Sequence, residues 1–304
     1  ASDVYKRQAL AMAVEKAKET DAELVMASDP DADRVGAAVK NNEGEWVLLN
    51  GNQTALMFVY YLITRWKELG KINGKEYIVK TIVTTETIKT IAERNGVEMY
   101  DVYTGFKWIA NVMRENEGKK NYIGGGEESY GFLCEDFVRD KDAVSACVIL
   151  AEIAAWAKDQ GLSLYQLLQK IYVEYGFSKE KGISVVKKGK SGAEEIEAMM
   201  KKFRENPLTE IAGSKVTYFY DYSTLKGKDY AENETVTLDM PTTSNVLQYF
   251  TEDNTKVSIR PSGTEPKIKF YCEVHSKVKN IDELPEAEKA AEEKINQIKA
   301  SLGI

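Results

Sequence analysis

The chain has 304 residues, about two domains' worth at roughly 150 residues each, and its 43% apolar and 29% charged content suits packed cores under a water-facing surface. A net charge of −7 and a pI near 5.2 argue against a generally basic nucleic-acid binder, and the single histidine, His275, excludes multi-histidine zinc chemistry. Cys134, Cys147 and Cys272 are an odd set with no C-x-x-C pair, so neither a disulfide framework nor a zinc ribbon is suggested, and a reducing, cytoplasmic setting is expected.

The N-terminal stretch Ser2 to Gln8, SDVYKRQ, resembles the translation of a transposon-end adapter used in sequencing libraries. Residues 1–8 are therefore expected to be an artefact, with native sequence from about Ala9. Leu10, Ala13, Val14 and Ala17 recur at helical spacing, and Leu24 to Ala27 reads as a strand. The acidic loop Asp29 to Arg34 follows, then strands Val35 to Val39 and Trp46 to Leu49. A helix through Leu56, Val59, Ile63 and Trp66 leads to a linker at Lys71 to Gly74.

A second unit opens with strand Tyr77 to Val83 and helix Thr87 to Arg94, stopped by Asn95-Gly96. Strand Val97 to Tyr103, helix Lys107 to Asn116 and strand Tyr122-Ile123 come next. After a glycine-rich loop, helices span Ala143 to Lys158 and Ser163 to Tyr175. The apolar run Ala143 to Ala157 contains Glu152 and is shorter than the ~20 residues a membrane span needs, so a buried helix explains it. Strands alternating with helices predict an α/β sheet with largely parallel pairing.

From about Phe177 the texture changes. A helix near Gly192 to Phe203, strands at Val216 to Tyr220 and Val257 to Ile259, and a closing helix through Ala287, Ala291, Ile295, Ile298 and Leu302 describe a smaller α+β domain. In the strand Ile268 to Val274, Ile268, Phe270, Cys272 and Val274 share one face. Lys269, Tyr271, Glu273 and His275 share the other, so His275 reads as a solvated residue on a polar face.

Three loops carry chemistry. In ASDPDADRVG, Asp29, Asp31 and Asp33 alternate, and their carboxylates can converge from one side of a curved loop onto a hard cation. An EF-hand fails because its sixth position is Arg34 rather than glycine and its twelfth is Lys40 rather than glutamate. Magnesium with an open position for a phosphate oxygen fits best. The second loop, Gly124 to Gly131 (GGGEESYG), misses the Rossmann and Walker patterns. Its glycines allow close backbone approach, and Glu127 and Ser129 offer groups suited to a sugar's vicinal diol. The third, Arg260 to Pro266 (RPSGTEP), combines a guanidinium, two hydroxyls and successive amides into an anion nest.

A divalent-metal site, a polyol site and a phosphate nest in successive units describe a protein that handles a phosphosugar. With these motifs in this order, the sequence from Ala9 to Ile304 resembles the α-D-phosphohexomutase family of phosphoglucomutases and phosphomannomutases. The resemblance implies mixed α/β phosphohexomutase-type domains followed by a smaller α+β C-terminal domain. It implies the later part of the metal-binding second domain at 9–72, a sugar-binding third domain at 73–176 and a phosphate-binding domain at 177–304.

It further implies magnesium on Asp29, Asp31 and Asp33, with Arg34 beside the phosphoserine. Glu127 and Ser129 would read sugar hydroxyls, and Lys141, in RDKD, would face the ligand. Arg260, Ser262, Gly263 and Thr264 would grip the substrate phosphate. GEESYG is closer to the glucomutase type than to the glucosamine type, although phosphomannomutases and phosphopentomutases share much of the pattern.

The departure is the family's serine loop, of T-A-S-H-N-P type, which is nowhere in this sequence. The expected reading is an N-terminally truncated, cytoplasmic, magnesium-dependent mutase that uses glucose 1,6-bisphosphate as intermediate and partners neither nucleic acid nor membrane. The rival is a non-catalytic phosphosugar-binding module.

Overall fold

The computed structural model describes residues 6–187, 189–263 and 265–304. Its contacts divide after Gly176 into two units. The first runs α1 (Arg7–Glu19), β1 (Leu24–Ser28), β2 (Val35–Lys40), β3 (Trp46–Leu49), α2 (Gly51–Glu68), β4 (Glu76–Thr81), α3 (Thr87–Arg94) and β5 (Glu98–Val102). It continues with α4 (Phe106–Asn116), β6 (Asn121–Gly126), β7 (Phe132–Cys134), α5 (Ala143–Asp159) and α6 (Leu164–Tyr175).

β1, β2 and β3 form an antiparallel meander, with Leu24 opposite Val39 and Lys40 opposite Trp46. This departs from the expected parallel pairing, because the short links between these strands cannot hold a crossover. Parallel pairing is confined to the sheet ordered β5-β4-β6-β7, in which α3 and α4 are the crossovers. β7 then returns antiparallel to β6.

On one face of this sheet, Phe106, Ile109 and Met113 of α4 bury against Tyr77, Val79, Val102, Tyr122 and Leu133. On the other, Phe58 of α2 stacks on Phe132 with ring centroids 4.6 Å apart. Each such fully buried side chain contributes about 1.5–3 kcal/mol relative to exposure. α2 starts in a capping box between Asn50 and Gln53. It packs on β6, α3, α5 and α6, all beyond the boundary expected after residue 72.

Gly124, Gly125 and Gly126, expected as a loop, are the end of β6. A Cβ at Gly125 would lie 2.5 Å from the Val79 carbonyl oxygen, and one at Gly126 2.5 Å from the Phe132 ring. These glycines leave room for the protein's own packing. Among the described residues no helix is long and apolar enough to cross a membrane.

The second unit comprises β8 (Phe177–Val186), α7 (Gly189–Glu205), β9 (Glu210–Ile211), β10 (Ser214–Asp221), β11 (Lys226–Asp229), β12 (Glu234–Thr237), β13 (Leu247–Thr251), β14 (Lys256–Pro261), β15 (Lys267–Ser276) and α8 (Leu284–Leu302). Its sheet runs β12-β11-β10-β13-β14-β15-β8, with antiparallel pairing throughout and β9 beside β10. β8 escapes the sequence reading because its centre, KEKG, is charged. It forms by pairing with β15 from Lys267–Val186 to Ser276–Phe177. α7 and α8 pack against the sheet, and Ile268, Phe270, Cys272 and Val274 are buried as their alternation predicts.

The other face of β15 corrects the expectation for His275. Lys256 and Glu273 face each other across β14 and β15 at 2.9 Å, with side chains only 2% and 3% exposed. His275 Nε2 lies 2.7 Å from the second Glu273 oxygen, and its side chain is 19% exposed. A carboxylate already buried by its lysine draws the imidazole inward. Burial alone would raise the Glu273 carboxyl, but the Lys256 ammonium and His275 outweigh it and hold the group well below its ordinary 4.5. Burial alone would lower His275. The charge and hydrogen bond of Glu273, helped by Glu180 and opposed by Lys256, hold it above its ordinary 6.5.

The signs define a pH window. The depressed Glu273 contributes stability above pH 4.5 that is lost as pH falls toward its folded value. The raised His275 contributes below pH 6.5, and its share is lost as pH rises through its folded value. Glu273→Gln leaves Lys256 buried without its carboxylate, so it should cost about 3–5 kcal/mol. The loss should be greatest between pH 4.5 and 6.5 and shrink on either side. Urea denaturation of both proteins across pH checks this, and a pH-independent difference would contradict it.

Candidate functional site

The acidic loop is held by its own first carboxylate. Asp29 Oδ1 accepts the Asp33 and Arg34 amides at 3.1 and 3.2 Å, and the Ala32 amide donates to the Asp29 carbonyl at 2.9 Å. Ala32 adopts φ +57°, which tightens the turn. Asp31 is exposed, while Asp29 and Asp33 are half-buried. The loop also sits on the start of α5, where the Ala143 amide donates to the Ala32 carbonyl at 3.0 Å. The positive end of a helix dipole therefore meets the acidic segment.

The turn carrying Glu127 and Ser129 lies against this loop. Arg34 and Gly131 form an isolated antiparallel bridge, and the Val35 amide donates to the Tyr130 carbonyl at 3.1 Å. Two segments far apart in sequence are thus one structure. Glu127 is 6% exposed, and its Oε1 accepts the Gly105 amide at 2.8 Å. Ser129 is half-buried. Glu128 fixes the turn from behind, since Oε2 accepts the Thr81 and Thr84 hydroxyls at 3.0 and 3.4 Å and its amide donates to Thr84 Oγ1 at 3.1 Å. Gly51, the first residue of α2, abuts the Glu128 backbone so closely that a Cβ there would overlap the carbonyl.

Sequence reasoning missed Gly51, Thr81, Thr84 and Gly105. The hydroxyl-rich run Thr81 to Thr87 was the available signal for the two threonines; Gly51 and Gly105 carried none.

Lys141 joins the two loops. Its Nζ lies 2.9 Å from Asp33 Oδ2 and 3.6 Å from Asp140 Oδ1, and its stem crosses Gly131, where any Cβ would collide with it. Burial would lower its pKa, but the hydrogen bond and charge of Asp33, with Asp140 and Glu127 adding to them, raise it. Arg34 Nε stands 4.0 Å from Asp33 Oδ1. Both of these atoms are buried and make no hydrogen bond.

The residues expected to hold a metal are close in sequence but do not form a cage. Among the described residues, no three His, Cys, Asp or Glu side chains gather as a metal ion requires. Asp29 is turned to the loop amides and Asp33 to Lys141. In this arrangement the three aspartates do not fit magnesium.

The RPSGTEP turn belongs to the second unit. Arg260, half-buried on β14, sits opposite Lys269 of β15. The Ser262 amide donates to the Lys267 carbonyl at 2.7 Å, and Ser262 Oγ accepts the Glu265 amide at 3.3 Å. Two of the nest's groups are therefore engaged in closing the turn. Gly263 is exposed with open space around it, and Thr264 lies outside the described residues. A cavity of about 960 Å³ separates this turn from α7 and is lined by Ile196, Met200, Arg204, Ser262 and Gly263.

Residues 50–175 match the model of the phosphoglucomutase/phosphomannomutase alpha/beta/alpha domain III, and residues 184–291 match that of the phosphoglucomutase/phosphomannomutase C-terminal domain. The chain belongs to this family. A phosphoglucomutase of Staphylococcus aureus (strain USA300) is 38% identical over 277 residues, covering 91% of this chain and 49% of the relative. One from Staphylococcus haemolyticus is 33% identical over 269 residues, covering 88% and 48%. The chain thus spans about half the length of the curated relatives it matches.

Among solved structures, a phosphoglucomutase/phosphomannomutase family protein from Burkholderia thailandensis superposes with a TM-score of 0.62 at 18% identity, covering 99% of this chain and 52% of that one. Parafusin from Paramecium superposes with 0.56 at 18%, covering 85% and 41%. At such identities these two establish the shared fold.

The contact between Gly51 and Glu128 gives a direct test of how the turn is supported. Gly51→Ala should destabilise the first unit by about 1–3 kcal/mol, as overpacking does. Gly182→Ala, where a Cβ meets open space, should have a much smaller effect. Equal urea midpoints for Gly51→Ala and the parent would contradict the packing described.

Proposed function

We propose that this chain is the later part of a phosphoglucomutase-type enzyme interconverting glucose 1-phosphate and glucose 6-phosphate. The phosphoryl group would be carried by a phosphoserine outside these 304 residues. The observation that carries this reading is the joining of the acidic loop to the Glu127–Gly131 turn by the Arg34–Gly131 bridge and Lys141. The relatives named phosphoglucomutase, at 33–38% identity, support the choice of sugar.

In this reading Glu127 and Ser129 accept and donate hydrogen bonds to sugar hydroxyls, with Gly105 fixing the Glu127 carboxylate. Lys141 and Arg34 present positive charge to the anionic ligand, Arg34 beside the phosphoserine. Arg260, Ser262, Gly263 and Thr264 hold the substrate phosphate. The dependence on magnesium, the need for glucose 1,6-bisphosphate and a cytoplasmic location belong to the same proposal. No step is assigned to a metal in the loop arrangement described.

Calorimetry with glucose 1-phosphate and with inorganic phosphate tests the division of labour. Glu127→Gln should weaken glucose 1-phosphate while leaving inorganic phosphate nearly unchanged. Arg260→Ala should weaken both by about 1.5–3 kcal/mol, the value of a charged hydrogen bond, or roughly ten- to a hundredfold. Identical losses from the two variants for both ligands would overturn this assignment.

The purified chain should show no turnover in a coupled assay, even with magnesium and glucose 1,6-bisphosphate. In this reading neither Ser129 nor Ser262 carries the phosphoryl group, since both belong to loops read as ligand contacts. Turnover that is lost on mutating a serine of this chain would show that reading to be wrong.

A further inference from the structure

Both supports of the Glu127 turn lead back to Lys80. This lysine is the penultimate residue of β4, the strand between β5 and β6, and its register partners are Asp101 and Gly126. Its side chain is 1% exposed, and its ammonium stands 2.6 Å from Asp101 Oδ1 and 2.9 Å from Glu86 Oε1. It also donates to the Thr84 and Thr81 carbonyls at 3.4 and 3.5 Å. A buried ammonium needs such partners, and its three protons can reach separate segments at once, as no apolar side chain could.

The segments so joined are the ones that hold the turn. Thr84 and Glu86 lie between β4 and α3, where Thr84 Oγ1 accepts the Glu128 amide at 3.1 Å and bonds the Thr81 hydroxyl at 2.8 Å. Asp101 is on β5, four residues before Gly105, whose amide bonds Glu127 Oε1 at 2.8 Å. Open α/β sheets bind ligands at the carboxyl ends of their parallel strands, and β4, β5 and β6 are parallel and end here.

We infer that Lys80 is a positioning residue for the Glu127 turn. By fixing the β4–α3 connection and the end of β5 to each other, it sets the Glu128 amide and the Glu127 carboxylate in one arrangement. Its charge does this rather than its bulk. Lys80→Met keeps the stem but releases the Thr84 carbonyl and both carboxylates, whose side chains, 26% exposed in Glu86 and 35% in Asp101, can turn to water. Only the identity of what the turn binds rests on the proposed function.

Hydrogen exchange followed by mass spectrometry tests the placement without a ligand. Lys80→Met should speed exchange in residues 124–131 by about fivefold, the factor set by one net hydrogen bond. Exchange in β1, in the same unit, should not change. An unchanged rate in residues 124–131, or an equal acceleration in β1, overturns the inference. Glu86→Gln removes one partner of the lysine at a partly exposed position and should accelerate the same residues. Where Lys80→Met does not fold, Glu86→Gln decides by the same criterion.

Calorimetry then separates positioning from general packing. Lys80→Met should weaken glucose 1-phosphate by about fivefold and leave inorganic phosphate unchanged. Combined with Glu127→Gln, its effect should be smaller than alone, because it acts through that turn. Full additivity, or equal losses for the two ligands, overturns the inference. A parent chain that binds no glucose 1-phosphate would sink the proposed function, and the exchange rates would still decide the role of Lys80.

Discussion

Three carboxylates within five residues repel one another, and the first unit is organised around meeting that repulsion. Asp29 is engaged by the loop's own amides, Asp33 by Lys141 with Arg34 nearby, and the loop as a whole rests on the positive end of α5. Asp29 and Arg34 act within the loop, while Lys141 and the Ala143 amide come from more than a hundred residues further along the chain. Lys141 arrives because β7 pairs with β6, and Arg34 reaches Gly131 because the meander's loop is drawn onto the next sheet. Neutralising the loop and bringing the Glu127 turn to it are therefore one event.

That arrangement explains the placing of residues with no ligand-binding chemistry of their own. Gly51 brings α2 against the Glu128 backbone, and Thr81 and Thr84 grip the Glu128 carboxylate from the end of β4. Glu127 and Glu128 are neighbours with opposite tasks. Glu128 is fastened to the scaffold behind the turn, and Glu127 holds the Gly105 amide while sharing the environment of Lys141. A turn supported on both sides can hold its side chains without a ligand present, which is the preorganisation a binding site needs.

The second unit solves a different electrostatic problem. Its antiparallel sheet buries an apolar face under α7 and α8, and on the other face it buries Lys256 and Glu273 as a pair. Such a pair gives little net stability over a well-packed apolar one, but stranding either partner is costly. His275 extends the pair into a row of three titratable groups. The unit's acid sensitivity and its RPSGTEP turn thus rest on the same two strands, β14 and β15.

Local sequence determined much of this protein. Helical spacing with the Asn95-Gly96 stop and a short apolar run placed α3 at Thr87–Arg94 and β3 at Trp46–Leu49 to the residue, because those signals act over a few neighbouring positions. The three loop motifs were likewise legible as motifs, since residue types and spacing are local, and they led to the family. Pairing direction, the strand character of Gly124–Gly126, the formation of β8 and the burial of His275 were decided by tertiary structure. In each case the deciding partner is distant in sequence: Val79 and Phe132 for the glycines, β15 for β8, Lys256 for Glu273 and through it His275. The same holds for Asp33. Its spacing from Asp29 and Asp31 raises the expectation of a metal ligand, and only the fold places Lys141 beside it, because an ion pair depends on distance in space rather than along the chain.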